Sequence, residues 1–181
     1  MEIQTRQMDS QSLHQVDSFN RNSMVSSHLM LHIQRNKISY SVVPVEPYEK
    51  ILDVDAEDYT TFIDNPQKVI FFADVEGKPA GQIKLVSWWN KFAYLEELVV
   101  SPEFRGMGVG RALMNRAIEW AKHQNFPGIT LETQDNNVPA CKFYEKCGFV
   151  LGGFDLYAYR NLPNASEIAL YWYLIFDHPP S

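Results

Sequence analysis

Apolar residues fall in short runs along this chain, and their spacing changes from strand-like to helix-like and back. Residues 69–75, 81–89 and 92–100 are rich in β-branched and aromatic side chains, the composition of strands. Between them, Glu76-Gly77-Lys78-Pro79 and Asn90-Lys91 carry residue types that reverse a chain tightly, which predicts an antiparallel meander. Over 108–125 the period lengthens: Val109, Ala112, Leu113, Ala117, Trp120 and Ala121 make one stripe at helical spacing. Residues 128–133 return to a strand. Asn137 then caps a second helix, Pro139 fits its first turn, and Gly148 ends it after Cys147. Its buried stripe is predicted as Ala140, Phe143, Tyr144 and Cys147. Residues 149–159 and 168–176 read as two final strands.

The amino-terminal part is less sharply patterned. Asp9 is positioned to cap a short helix over 9–19, and the apolar segments 30–33 and 38–43 flank Gln34-Arg35-Asn36-Lys37, which suggests a hairpin. Residues 44–65 read as an acidic loop with Asp53, Asp55, Glu57, Asp58 and Asp64, bordering a site or forming a solvated face. No repeat or linker divides the chain, so residues 1–181 are expected to form a single α/β domain: a mixed sheet with helices against it.

Composition narrows the function. With 16 Lys and Arg against 22 Asp and Glu, the net charge is −6, which argues against a large nucleic-acid interface and mildly favours a cationic substrate. The first ten residues lack the pattern of a leader and the longest apolar run, 168–176, is too short to span a bilayer, so a cytoplasmic protein without membrane association is expected. Cys141 and Cys147, six positions apart in one helix, diverge and are read as reduced thiols. His28 and His32 lie in a strand-like segment where that spacing does not converge on a metal, and no metal is expected. The aromatic carboxy-terminal strand suits a homodimer edge or a last core strand equally well.

The candidate chemistry begins at Arg105-Gly106-Met107-Gly108-Val109-Gly110-Arg111, a glycine-rich turn between a strand and an amphipathic helix, where backbone N–H groups can hold an anion. No Gly-Lys-[Ser/Thr] follows, so it is not a P-loop, and Arg111 stands where a dinucleotide fold needs its third glycine. The spacing Arg-x-x-Gly-x-Gly after Leu-Val-Val resembles the pyrophosphate-binding signature of the GNAT superfamily of N-acetyltransferases. The preceding Glu-Glu-Leu-Val-Val-Ser-Pro-Glu-Phe and the later stretch from Asn137 to Phe149 resemble the same superfamily. That resemblance implies a mostly antiparallel central sheet flanked by helices, with strands splayed to form a cleft for acetyl-CoA. It further implies that amides of Met107 to Arg111 hold the pyrophosphate, with Arg105 and Arg111 as charge partners. Pantetheine would bond to backbone near Leu98 and Val100, and Asn137 would be a further cofactor contact. Lys142 would approach the adenosine phosphate or simply be an exposed helical lysine.

Acyl transfer to an alkyl ammonium requires a proton acceptor, because only the neutral amine attacks. Glu96 and Glu97 stand in an otherwise apolar strand, where a carboxylate is costly without a cleft or a partner, and strand alternation places them on opposite faces. The resemblance makes Glu96 a water-mediated base and Glu97 a substrate contact or structural partner. It also makes Tyr144 the acid that protonates the departing thiolate, with backbone N–H near Val99 holding the oxyanion. Neither cysteine has an evident His partner, so a covalent route is not expected.

Over roughly the last half of the chain, the stretches Trp88 to Tyr94, Leu131-Glu132-Thr133-Gln134, Gly152-Gly153-Phe154-Asp155-Leu156 and Ala169 to Tyr173 resemble streptothricin acetyltransferases. This implies a polycationic acceptor acetylated on its β-lysine side chain. Asp155 would pair with a second ammonium, and Trp88, Trp89 or Tyr94 would wall the cleft by cation–π contacts. A β-bulge at the glycine pair, a turn cap at Asp155 and core roles for the aromatics are the plainer readings. Another amine acceptor, or a CoA-binding module without turnover, is the rival to this function.

Overall fold

A computed structural model describes residues 2–16, 18–51 and 57–177. In chain order its elements are β1 (Ile3–Gln7), β2 (Ser23–Gln34), β3 (Lys37–Lys50), β4 (Lys68–Val75), β5 (Lys78–Ser87), β6 (Ala93–Val100), α1 (Val109–His123), β7 (Gly128–Gln134), α2 (Val138–Lys146), β8 (Val150–Asp155) and β9 (Ala169–Ile175). Short 3-10 turns lie at Leu13–Gln15, Tyr59–Phe62 and Pro102–Phe104. The result is a mixed α/β fold with mostly antiparallel strands. It comprises two compact units: the described residues of segments 1–21, 52–129 and 176–181, and those of 22–51 and 130–175. Among the described residues no helix is long and apolar enough to cross a membrane.

The first unit is built on the predicted meander. β4, β5 and β6 pair antiparallel in sequence order, and β1 adds to the outer side of β4. Two-residue closure at Glu76-Gly77 is possible because both residues adopt positive φ, 50° and 78°, the geometry that matches strand twist. β4 is apolar on both faces because both are covered. Phe71 and Phe72, neighbours on opposite sides of that strand, are each 0% exposed, and burying each side chain contributes about 2–3 kcal/mol. Arg116 of α1 lies 5.0 Å from the Phe71 ring on one side. On the other, Phe72 and Ile70 join Met8, Val16, Phe19, Phe62, Val86 and Val99 in a core. The stripe predicted for α1 is buried except at Ala112, which is half-buried, and Met114 joins it.

The helix expected over 9–19 is a correction: among the described residues of that segment only Leu13–Gln15 is helical, and as a 3-10 turn. The Asp9 carboxylate accepts from the amides of Gln11 and Ser12 and from the Ser12 hydroxyl. It thereby forms a local turn that competes with a longer helix.

In the second unit, β2 and β3 form a long antiparallel ribbon around Arg35 and Asn36, at φ 51° and 61°. The loop expected from residue 44 therefore begins later, since β3 runs on to Lys50. Asp53 and Asp55 lie outside the described residues. The remaining strands lie in the order β7-β9-β8. β9 is thus an inner strand, and the idea that it presents a dimer edge is overturned. β8 stops at Asp155, short of the predicted residue 159, because Asp155 Oδ1 accepts from the Tyr157 amide and turns the chain. α2 buries Val138, Cys141 and Tyr144. Ala140, Phe143 and Cys147 of the predicted stripe are only half-buried, so the buried face is rotated from the one expected.

Candidate active site

The two carboxylates of β6 lie where the strand is irregular. Lys84 of β5 pairs with Glu97 while Leu85 pairs with Leu95, so Glu96 is an extra residue, a β-bulge. This corrects the expectation that Glu96 and Glu97 occupy opposite faces. Gln82 and Lys84, two apart on β5, share a face. Glu97 accepts from Gln82 Nε2 at 2.7 Å and Glu96 Oε2 lies 3.2 Å from Lys84 Nζ, so the bulge brings both carboxylates to that one face.

Their surroundings differ. Glu97 is taken up on both oxygens by Arg21, whose remaining donors reach the carbonyls of Val16 and Phe19. Glu96 belongs to a looser pair, and its side chain is 28% exposed. Next along the strand, Tyr94 stacks on Trp88 with ring centroids 4.4 Å apart. Trp88 is 40% exposed and Trp89 84% exposed. Leu98 and Val100 are half-buried and Val99 is buried. A Cβ on Gly81 would stand 2.4 Å from the Val99 carbonyl, so glycine is what lets β5 lie against the end of β6.

Beyond β6 the chain turns through Pro102–Phe104 into the glycine loop. Gly106 and Gly108 have φ of 76° and 90°, a region that side chains with a Cβ rarely enter. Gly108 is the N-cap of α1 and offers no capping side chain. The first amides of that helix, from Val109 through Gly110 and Arg111, therefore point out of its start along the positive end of the dipole. The Met107 amide is used within the turn, donating to the Phe104 carbonyl at 3.4 Å. The exposed Arg105 folds back, its Nε donating to the Val100 carbonyl at 3.0 Å and tying the loop to the strand. Met107 is exposed and Val109 is buried.

Asn137, Tyr144 and Asp155 belong to the second unit. Asn137 Oδ1 accepts from the Ala140 amide at 3.4 Å and caps α2. Tyr144 is 7% exposed, and its ring centroid is 5.7 Å from those of Phe143 and Phe149. Burial pushes the Cys141 thiol up to about 12, with the negative charge of Asp135 adding to it, so this sulfur is not a nucleophile near neutral pH. The glycine pair has a packing role. A register shift places Gly152 at a bulge, and a Cβ there would meet the Tyr173 ring at 2.6 Å. Lys142 is exposed. His32 Nε2 is 2.7 Å from Ser41 Oγ, and among the described residues no three His, Cys, Asp or Glu side chains cluster as a metal site.

Sequence reasoning missed Arg21, Gln82 and Lys84, and it named Glu57 only within an acidic stretch that borders a site or forms a solvated face. Gln82 and Lys84 left a signal: they are alternate polar positions in the apolar run of β5 and so share one face. Arg21 left none, because its partner is 76 residues away.

The comparisons with known proteins point to one family. The model of the acetyltransferase (GNAT) family matches residues 37–149. Streptothricin acetyltransferase A of Bacillus subtilis is 42% identical over 72% of this chain and 75% of its own length. A streptothricin acetyltransferase of Escherichia coli is 41% identical over 79% of each. Among solved structures, a Bacillus anthracis protein provisionally assigned as a streptothricin acetyltransferase, in complex with acetyl coenzyme A, superposes with a TM-score of 0.90 at 41% identity, covering 98% of this chain and 100% of that one. A glycine-opened helix after a bulged, carboxylate-bearing strand, in a chain that these proteins match across most of their length, has one reading: the chain belongs to the acetyltransferase (GNAT) family.

Proposed function

We propose that this acetyl-CoA-dependent N-acetyltransferase acetylates an amine on the β-lysine moiety of streptothricin, a modification that confers resistance. The observation that carries the acceptor is the similarity to streptothricin acetyltransferases over about three quarters of the chain. Acetyl-CoA supplies the acetyl group as an activated thioester. Around it, the amides from Gly108 to Arg111 hold the pyrophosphate, Arg105 braces their loop, and backbone of Leu98, Val99 and Val100 receives the pantetheine and the developing oxyanion. Asn137 adds a cofactor contact beside its capping role.

Glu96 takes the proton of the acceptor ammonium through a water molecule, which leaves a neutral amine to attack the thioester carbon. A carbon–nitrogen bond forms, the carbon–sulfur bond breaks, the Tyr144 phenol gives its proton to the departing thiolate, and the second proton shed by the new amide nitrogen passes through solvent to restore the phenol. Glu97, neutralised by Arg21, holds the bulge in shape. Trp88 and Tyr94 offer a stacked aromatic wall to a cationic acceptor, and Asp155 pairs with a second ammonium.

The test is thiol release from acetyl-CoA with streptothricin, spermidine, an aminoglycoside and a lysine peptide as acceptors, followed by mass spectrometry of the products. A single acetyl group gained selectively by streptothricin is the expected result. Turnover of another amine in preference would overturn the acceptor, and CoA binding without turnover of any amine would overturn the assigned reaction.

A further inference from the structure

Lys84 stands in the middle of β5 between Ile83 and Leu85, each 0% exposed, and its own side chain is only 13% exposed. A lysine held so far from water needs partners. Its Nζ lies 2.7 Å from Glu57 Oε2 and 3.2 Å from Glu96 Oε2. It also sits 5.7 Å from the centre of the Tyr59 ring and 5.9 Å from that of Phe62. Burial pulls its pKa down, but the hydrogen bonds and charges of Glu57 and Glu96 outweigh that pull and leave it raised, so Lys84 is an ammonium at neutral pH.

The other charged or titratable groups around this pair turn elsewhere. From the turn before β4, Asp58 accepts from Thr60. Lys68 of β4 donates to Thr61 and lies 5.0 Å from the Phe62 ring centre. On β6, Tyr94 stacks on Trp88 and Glu97 is taken by Arg21 and Gln82. Among the described residues, Lys84 is the cation that meets Glu96.

We propose that Lys84 is a positioning residue for acetyl transfer: it holds the Glu96 carboxylate at the bulge and, being shared with Glu57, sets how readily that carboxylate accepts a proton. The inference rests on Glu96 as the base. An adjacent ammonium favours the ionised carboxylate, whereas a nearby second carboxylate disfavours it. Glu57 takes the shorter bond to Lys84 and so moderates the effect on Glu96. One ammonium between two carboxylates also leaves a net negative charge on this face, which suits an incoming alkyl ammonium.

The experiment is the pH dependence of kcat/KM for the full chain with acetyl-CoA and the amine it turns over best. Lys84→Gln should move the acidic limb to higher pH. Glu57→Gln should move it to lower pH, because the Lys84 charge then acts on Glu96 undivided. Lys84→Arg should restore the wild-type limb, and Glu96→Gln should abolish it. Should Lys84→Gln fail to fold, the Glu57→Gln and Lys84→Arg profiles decide. A simple loss of packing lowers kcat without shifting the two limbs in opposite directions. If Glu96→Gln abolishes the limb while Lys84→Gln and Glu57→Gln leave it in place or move it the same way, Lys84 has no such role. A limb that persists in Glu96→Gln would sink the base assignment, and this inference with it.

Discussion

The middle of β6 and the loop that follows it are fewer than ten residues apart, yet the proposed function uses them by opposite means. At the bulge, side chains carry the proposed function: Glu96 and Glu97 are held by Lys84, Arg21 and Gln82. In the loop, backbone carries it: Gly106 and Gly108 adopt positive φ, and the helix that Gly108 opens has no capping side chain in the way of an anion. A proton must be accepted by a group of suitable basicity, which a side chain provides and a peptide does not. A diphosphate needs several donors converging at short range, which amides at a helix start provide at little entropic cost. The two regions should therefore fail differently, one in turnover and the other in cofactor affinity.

The largest expected effect is at the bulge. Glu96→Gln should lower kcat about 10²–10³-fold, with the KM for acetyl-CoA nearly unchanged. A large rise in that KM instead would erase the contrast. In the loop, Gly108→Val should raise the KM for acetyl-CoA about 10-fold through left-handed backbone strain of about 1–2 kcal/mol. Space is not the cause, because a Cβ there meets only Ile3 at 3.7 Å. Unchanged affinity measured by titration calorimetry would remove the backbone half of the comparison.

A third substitution tests whether stability can be separated from both regions. Glu167 binds Lys50, Asn136 and Asn164 in the second unit. Burial alone would raise its pKa, but those hydrogen bonds outweigh it and leave the carboxyl lowered. Its stabilisation is therefore present above the unfolded pKa of about 4.3 and lost as pH falls through the lower folded value. Glu167→Gln should cost about 1 kcal/mol at pH 7 and flatten the acid loss of stability, as read by denaturant melts across pH. The smallest effect belongs to Arg105→Ala, which removes the bond to the Val100 carbonyl and should raise the acetyl-CoA KM about threefold. An equal change in kcat would place Arg105 with the side-chain chemistry.

Much of this was legible in the sequence. The three apolar runs and their tight turns foretold β4, β5 and β6 because burial on both faces demands such runs, and the glycines foretold the loop because positive φ demands them. Glu96 and Glu97 stood out as charges in an apolar strand. Their shared face did not, since a bulge is a property of two strands in register and not of either alone. Arg21 lies in a loop whose role exists only once it meets Glu97. The extension of β3 through Pro44 and Pro47 was hidden because proline argues against strands, a rule that relaxes in a two-stranded ribbon where an N–H can face solvent. The bulge at Gly152 was legible as a glycine pair, while the ring that fills its empty Cβ position comes from another strand.

The pairing of β1 with β4 has a consequence for the order of assembly. The β2–β3 and β4–β5 turns close over two residues, so those hairpins form locally and fast. β1 must wait: Ile3 meets Val75 and Gln7 meets Phe71, partners made more than sixty residues later. A strand kept waiting is a hazard if it is sticky. After Ile3, this one is Gln4, Thr5, Arg6 and Gln7, a segment too polar to find the wrong partner before the right one is made.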